Sequence, residues 1–559
     1  MRTHSSIAPR VAAARPDIAA WIVLAALAVV ALLTFDQYGL AWDDYSHGHY
    51  GELLLAYYTS GFTDMRAFTF YNLYYYGGGF DLVAAILDKI TPFELFATRR
   101  LTGVLVGLAG LFVVWRTARR LGGPVAGLAA LVLLAATPLY YGHMFINAKD
   151  TPFAVAMAFL AYATVRNFEE YPRPRIPTIL LFGLALGLAI GTRVIGGIGL
   201  VFAAAGVAVL FAIDRRELGA KAAAWRVGSF AVSLGLALPL AYVVMGIIWP
   251  WSVLAPLNPL RAVEFYSHFW EKPWKDLYEG ARILITDMPR TYVPLLCLLK
   301  LPEIFVALGL AGTAGGSVVV LRGGAEPWRR ASLALLIAAA MLPILIAVVT
   351  RPALYNGIRH FLFVIPPFAV LGGLAAAYLL DRLRAYARPA AAAGIVAFVG
   401  LLSVTVVDFW RIHPYQYALF NHLAGGVRGA QSQYMLDYWG LGMKEASENL
   451  LARLDEMNVE PPRNRKWKVA VCGPAHTVGF ELGPAFEATG DPKGADFAIS
   501  LGTYYCAKLS APILATAERE GVVFARAYDL RGRNIASTYI APDDEKKSSD
   551  TPSNIDGVF

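Results

Sequence analysis

Eleven stretches of nearly unbroken apolar residues recur along the chain, at 18–35, 95–115, 124–141, 152–165, 178–190, 194–213, 227–248, 293–321, 331–349, 360–380 and 390–407. Most come close to the roughly 20 residues that a helix needs to cross a bilayer, the fourth and fifth being the shortest. The polar residues between them are not evenly spread. Arg2, Arg10 and Arg15 precede the first run; Arg116, Arg119 and Arg120 follow the second; Arg166, Arg173 and Arg175 the fourth. Arg215, Arg216, Lys221 and Arg226 follow the sixth, Arg322, Arg329 and Arg330 the eighth, and Arg382, Arg384 and Arg388 the tenth. Loops dense in Arg and Lys remain cytoplasmic, so every second loop lies inside. The eleven runs and the charge alternation agree: N-terminus inside, everything after the last run outside. No small-residue cleavage site follows the first run, which therefore reads as a permanent helix.

Two further stretches, "SHGHYGELLLAYYTSG" and "NLYYYGGGFDLVAAILDKI", occupy the loop between the first two runs. They are amphipathic, aromatic and too short to span, as expected of helices lying on the membrane surface. After residue 407 the pattern changes. Helix-like 440–457 and strand-like 466–473, 496–502 and 521–530 predict a small α/β domain outside the membrane. The expected organisation is a cytoplasmic tail at 1–17, a membrane module at 18–407 with its first outer loop at 36–94, an extracytoplasmic domain at 408–541, and a disordered tail at 542–559. No internal repeat of fixed period is visible.

Composition strengthens the membrane assignment. Of 559 residues 57% are hydrophobic and 16% charged, against roughly 25% charged in soluble domains. The fold class expected is a polytopic all-α membrane protein with a small α/β domain. The net charge of +8 is scattered in short groups, without the basic face that nucleic-acid binding requires. Three cysteines are too few for a disulfide scaffold. Cys472 and Cys506 fall near strand ends in an oxidising compartment, where a bond and two free thiols are equally open readings.

Orientation gathers the unusual polar residues on the outer face. Asp43 and Asp44, just after the first run, have an ordinary reading as solvated charges or helix caps. The surface helices after them instead give the pair a pocket at headgroup depth, in which Tyr45, His49 and Glu52 are candidates to touch a substrate. In "NAKDTPF", 147–153, Thr151 suits a helix N-cap and Pro152 a first turn, so Asp150 has a structural reading near the positive helix end. The functional alternative has Lys149 and the helix N–H groups binding a phosphate while Asp150 orients an acceptor or the lysine, with Asn147 beside them. Arg99, Arg100, Arg193, Arg359 and His360 are outer-face cations, of which one or two are expected to hold a phosphate and the others to snorkel to headgroups. His47 and His49 make, with Asp43 or Glu52, only a loose ligand set; a divalent metal is left open and no cofactor is assigned. No P-loop, G-x-S-x-G or H-E-x-x-H motif occurs.

The acidic pair in "WDDYSHGHYGE", the surface helices, "NAKDTPF" and the outer soluble tail together resemble the GT-C glycosyltransferases, more narrowly the bacterial relatives of the protein O-mannosyltransferases and lipid A aminoarabinose transferases, often grouped as family 39. The likeness covers 18–407; "HPYQYALFNHLAGG" and "DYWG" beyond it resemble a subgroup with such a tail. It implies a bacterial inner-membrane enzyme that takes a sugar from a polyprenyl-phosphate donor and transfers it, with inversion, to a lipid, glycan or protein acceptor on the outer face. It also implies Asp43 as general base, with Asp44 contacting or orienting the sugar. The chain departs from the family between the surface helices. Where relatives carry a Lys-Pro-Pro, or a His-Pro-Pro with a nearby lysine, it reads "FYNLYYYGGGFD", so the donor phosphate must be met by Lys149, Arg99, Arg100 or Arg359. A transporter or flippase of a lipid-linked substrate and a non-catalytic assembly or sensor protein are the alternatives; the first tends to repeated halves and midplane charges, which are not visible.

Overall fold

The computed structural model describes residues 7–268, 273–533 and 535; the tail expected from 542 lies outside them, as do residues 1–6. The first apolar run lies within α1 (Ile7–Thr34), and the outer loop after it folds into α2 (Asp44–Thr59) and α3 (Gly79–Asp88). The second run and most of the third join in α4 (Leu95–Ala135), which breaks direction at Gly123, φ 83°. Glycine takes that conformation without a Cβ penalty, and Pro124 after it has no N–H to continue the helical ladder. Then follow α5 (Pro138–Ile146), α6 (Asp150–Glu169), α7 (Ile176–Thr192), α8 (Ile198–Leu218), α9 (Ala220–Gly235) and α10 (Leu238–Ile248).

Outside the bundle, α11 (Trp251–Leu254) and α12 (Asn258–His268) lead to the hairpin β1 (Lys275–Tyr278) and β2 (Ala281–Leu284). The eighth run divides into α13 (Tyr292–Lys300) and α14 (Glu303–Arg322), because Pro302 cannot extend α13 and sits at the N-cap of α14. The bundle closes with α15 (Pro327–Thr350), α16 (Ile365–Tyr386) after a 3-10 segment over Arg359–Val364, and α17 (Arg388–Ile412). By length and composition, eight helical segments among the described residues are apolar enough to cross a membrane. With α4 taken as two segments about its bend, and with α6 and α7 added, the order of the eleven apolar runs is recovered. The central contact is α4 against α16, where small residues allow backbones to touch: a Cβ on Gly373 would stand 2.6 Å from the Ala126 carbonyl oxygen.

Beyond α17 lie α18 (Gly426–Ala430), α19 (Gly442–Glu456), β3 (Trp467–Cys472), α20 (Ala475–Leu482), β4 (Phe486–Thr489), β5 (Phe497–Leu501), β6 (Ile513–Arg519) and β7 (Val522–Asp529). The five strands form one sheet in the order β4-β3-β5-β7-β6, parallel for β4-β3-β5 and antiparallel beyond. The three strands read from the sequence are β3, β5 and β7, at the centre of the sheet. The two edge strands escaped the pattern because they carry half-exposed, mixed faces, Phe486–Thr489 above all. Cys472 and Cys506 are joined in a disulfide, which resolves the open pairing.

This domain is fastened to the end of the bundle at which α2 begins. Trp42 N–H donates to the Trp439 carbonyl at 3.2 Å, the Thr477 hydroxyl to the Leu40 carbonyl at 3.2 Å, and Arg519 to the carbonyl of His413, at the end of α17, at 2.7 Å. Those contacts place the soluble domain directly beside Asp43.

Candidate functional site

Three short segments meet at this end: the entry to α2, the turn between α5 and α6, and the loop with its 3-10 segment before α16. The second is organised by Asn147. Its Oδ1 accepts the backbone N–H of Lys149 at 3.0 Å and of Asp150 at 2.7 Å, while its Nδ2 donates to Asp150 Oδ2 at 2.8 Å. Asn147 thus closes the turn and steers Asp150. Thr151, expected at the N-cap, lies inside α6 with its hydroxyl on the His143 carbonyl at 3.0 Å; Lys149 holds the N-cap position.

Lys149 and Asp150 then point to different places. The Lys149 ammonium meets Asp43 Oδ2 at 2.8 Å in a recess where 38% of the Asp43 side chain and 16% of that of Lys149 still reach solvent. Burial acts to raise the Asp43 carboxyl, but Lys149, His47 and Arg359 outweigh it and hold it well below the usual carboxylate range. Burial likewise acts to lower Lys149, and Asp43 together with Tyr76 holds it above its ordinary value. Asp150 is enclosed, with Arg193 at 2.5 Å and Arg359 at 3.7 Å. The Arg359 guanidinium lies 4.7 Å over the Trp439 ring and 4.9 Å over Tyr355, whose hydroxyl it also reaches at 2.9 Å; His360 packs edge-on against the same tyrosine. Tyr76 lies between the cations, 5.2 Å from the Lys149 ammonium and 5.6 Å from the Arg193 guanidinium. A glycine run makes that placement available: a Cβ on Gly77 would sit 1.6 Å from the Gly191 carbonyl oxygen, so only glycine lets this loop lie on the end of α7.

The other acidic residue of the pair turns inward. Asp44 accepts the Ala41 N–H at 2.8 Å, and burial raises its carboxyl, offset only in part by Arg99 and Arg100. Arg99 is committed to Asp81 at 2.8 Å, and Asp81 also binds His47 Nδ1 at 2.7 Å. Both arginines are buried beneath the recess, 3% and 5% exposed, rather than lining it. Glu52 and His49 pair at 3.5 Å on the exposed face of α2, and Tyr45 stacks on His476 of the soluble domain. His47 and His49 therefore part company, one buried and one exposed. Among the described residues no cluster of three or more His, Cys, Asp or Glu side chains could hold a metal ion.

Asp81, His47, Tyr76, Tyr355 and Trp439 were not singled out for these roles from sequence. The one legible signal was His47, a helical turn after Asp43. "DYWG" owes its place here to Asp437, which accepts the N–H groups of Gly440, Leu441 and Gly442 at 2.8–2.9 Å and so fixes Trp439 beneath Arg359.

Residues 79–245 match the family model described as dolichyl-phosphate-mannose-protein mannosyltransferase, and the resemblance to the GT-C glycosyltransferases is borne out over that segment. Among solved structures, the chain is similar to ArnT from Cupriavidus metallidurans in the apo state (18% identity, 91% of this chain and 98% of that one, TM-score 0.47) and bound to undecaprenyl phosphate (17%, 91% and 98%, TM-score 0.46). It is also similar to the Archaeoglobus fulgidus oligosaccharyltransferase in the apo form (12%, 80% and 62%, TM-score 0.45). No curated protein matches the chain in sequence.

Proposed function

We propose that the protein is a membrane glycosyltransferase that moves a sugar from a polyprenyl-phosphate donor to an acceptor hydroxyl on the outer face of a bacterial inner membrane. The observation that carries the reading is the Asp43–Lys149 pair at 2.8 Å, open to solvent on one side and backed by buried cations on the other. A donor phosphate entering the recess offers Lys149 a second anion. As the ammonium shifts toward it, Asp43 loses its strongest partner, its carboxyl rises, and it becomes a better base at the moment a substrate is present. The acceptor oxygen then attacks the anomeric carbon from the side opposite the phosphate and its proton passes to Asp43. The bond from that carbon to the phosphate oxygen breaks with its electron pair on the oxygen, so the sugar inverts. The leaving phosphate is already a stable anion and needs no acid, which is why one carboxylate suffices where glycosidases use two.

In this reading Asp150 touches no substrate; it positions Arg193 and Arg359, which supply fixed positive charge to the developing phosphate. Asp44 shapes the entry to α2, and Arg99 with Arg100 hold the floor. The experiment is transfer of radiolabelled sugar from a polyprenyl-phosphate donor in liposomes carrying the purified protein. Asp43→Asn is expected to lower turnover by about 10²–10⁴-fold while the protein remains folded. Turnover within tenfold of the unsubstituted protein refutes the base assignment, and movement of intact donor across the bilayer in place of transfer refutes the enzyme reading.

A further inference from the structure

Beside Asp43 lies a cleft of about 340 Å³ lined by Trp42, Tyr45, Ser46, His49, Phe70, Tyr71 and His476. Its composition is unusual for this end of the molecule: every lining residue but Ser46 carries an aromatic ring, and none is aliphatic, acidic, Lys or Arg. The rings are ordered. Tyr45 and His476 lie parallel at 4.1 Å, His49 meets Phe70 edge-on at 5.0 Å, and Phe70 meets Tyr71 at 4.6 Å. The Ser46 hydroxyl donates to the Asp43 carbonyl at 3.1 Å, so the cleft lining and Asp43 share one turn of chain. Tyr71, 41% exposed, is held at φ 48°, a left-handed conformation that is costly for a bulky side chain. Strain of this kind persists where the surroundings fix it, and it concentrates at binding sites.

We propose that this cleft binds a sugar ring of the acceptor, so that the acceptor is a saccharide whose hydroxyl is delivered to Asp43. The proposal rests on the transferase reading above and adds the acceptor's chemistry to it. A sugar ring has apolar C–H faces and a polar rim of hydroxyls. Stacked aromatic planes with hydroxyl and imidazole groups at their edges complement both. An acyl or prenyl chain finds no aliphatic wall here, and a phosphate headgroup or a charged peptide finds no counter-charge in the lining. One wall, His476 at the start of α20, comes from the soluble domain, so the cleft is built on the aqueous side of the bundle and exists only because that domain is docked.

The test is saturation-transfer NMR on the full chain in detergent, with the methyl glycosides of glucose, galactose and N-acetylglucosamine at tens of millimolar as probes, and with hexanoate and an uncharged dipeptide alongside. Ring protons of at least one glycoside are expected to receive saturation. Phe70→Ala and His476→Ala, whose melting curves should match that of the unsubstituted protein, are each expected to weaken binding by about 2- to 10-fold. The proposal is overturned if no glycoside receives saturation, if both variants bind as well as the unsubstituted chain, or if only hexanoate or the dipeptide responds. Asp43→Asn separates the two readings. It should retain glycoside binding while losing transfer, so persistent transfer with intact binding removes the base and leaves the cleft, whereas lost transfer with no glycoside binding in any form removes the cleft and leaves the base.

Discussion

Asp150 is where positioning and catalysis make opposite predictions. Its carboxylate is 3% exposed as a side chain and faces Arg193 at 2.5 Å and Arg359 at 3.7 Å. Asp150→Asn keeps the shape and the hydrogen bonds of the turn but leaves two enclosed guanidiniums with no counter-charge between them. Breaking one side of a buried pair costs about 3–5 kcal/mol, because the remaining charge stays desolvated. A base that merely handled a proton would, on the same substitution, lose turnover and little stability. The assay is chemical unfolding in detergent of Asp150→Asn, Arg193→Met and the double variant, with transfer measured in liposomes for each. The single acidic variant should lose about 3–5 kcal/mol, and the double should recover about 0.5–3 kcal/mol relative to additivity, since removing Arg193 relieves the repulsion. Stability of Asp150→Asn within about 0.5 kcal/mol of the unsubstituted protein, the range of an ordinary surface change, together with abolished turnover, would refute the positioning role and make Asp150 a participant in chemistry.

Three further outcomes follow from the same geometry. Lys149→Met should raise the donor KM by about 10- to 100-fold through loss of a charge-assisted phosphate contact. It should also move the acid limb of kcat/KM upward, because Lys149 holds Asp43 below its usual range and its removal lets that carboxyl protonate at higher pH; a limb that stays in place counts against the Asp43–Lys149 coupling. Asp276 in β1 is 3% exposed and burial pushes its carboxyl up to about 6, offset in part by the N–H groups of Asn356 and Leu277. A carboxyl raised in the folded state makes the unfolded chain the weaker proton binder, so stability should fall as pH rises from about 4 through about 6. Asp276→Asn should flatten that slope in unfolding curves. Cys472→Ser, which opens a link spanning 34 residues, should lower the stability of the soluble domain by about 3–4 kcal/mol in unfolding followed by near-ultraviolet dichroism.

Much of the fold was legible because a bilayer enforces simple rules. Apolar runs of spanning length, and basic loops on alternate sides, set the order of the segments and gather Asp43, Asn147, Lys149, Asp150, Arg193 and Arg359 on one face. Short apolar, strand-like runs likewise marked β3, β5 and β7, which are largely buried at the centre of the sheet, and passed over the half-exposed edge strands. The turn at Asn147 is local chemistry too, since its side chain acts on neighbours two and three residues away. What the sequence alone could not determine was which charge meets which. Lys149 and Asp150 are adjacent, yet one pairs with Asp43 in an open recess and the other with Arg193 and Arg359 in an enclosed one. That choice depends on the packing of α2, α6, α7 and the loop before α16 against one another. Arg99 and Arg100 look like free outer cations in the chain but are drawn beneath the recess toward Asp81 and Asp44, because α3 folds back onto α4. The aromatic cleft needs His476, more than 400 residues from Tyr45, and exists only once the soluble domain has docked. Local chemistry is written in local sequence; the pairing of buried charges and the walls of a cleft are long-range contacts, fixed by the surfaces that tertiary packing brings together.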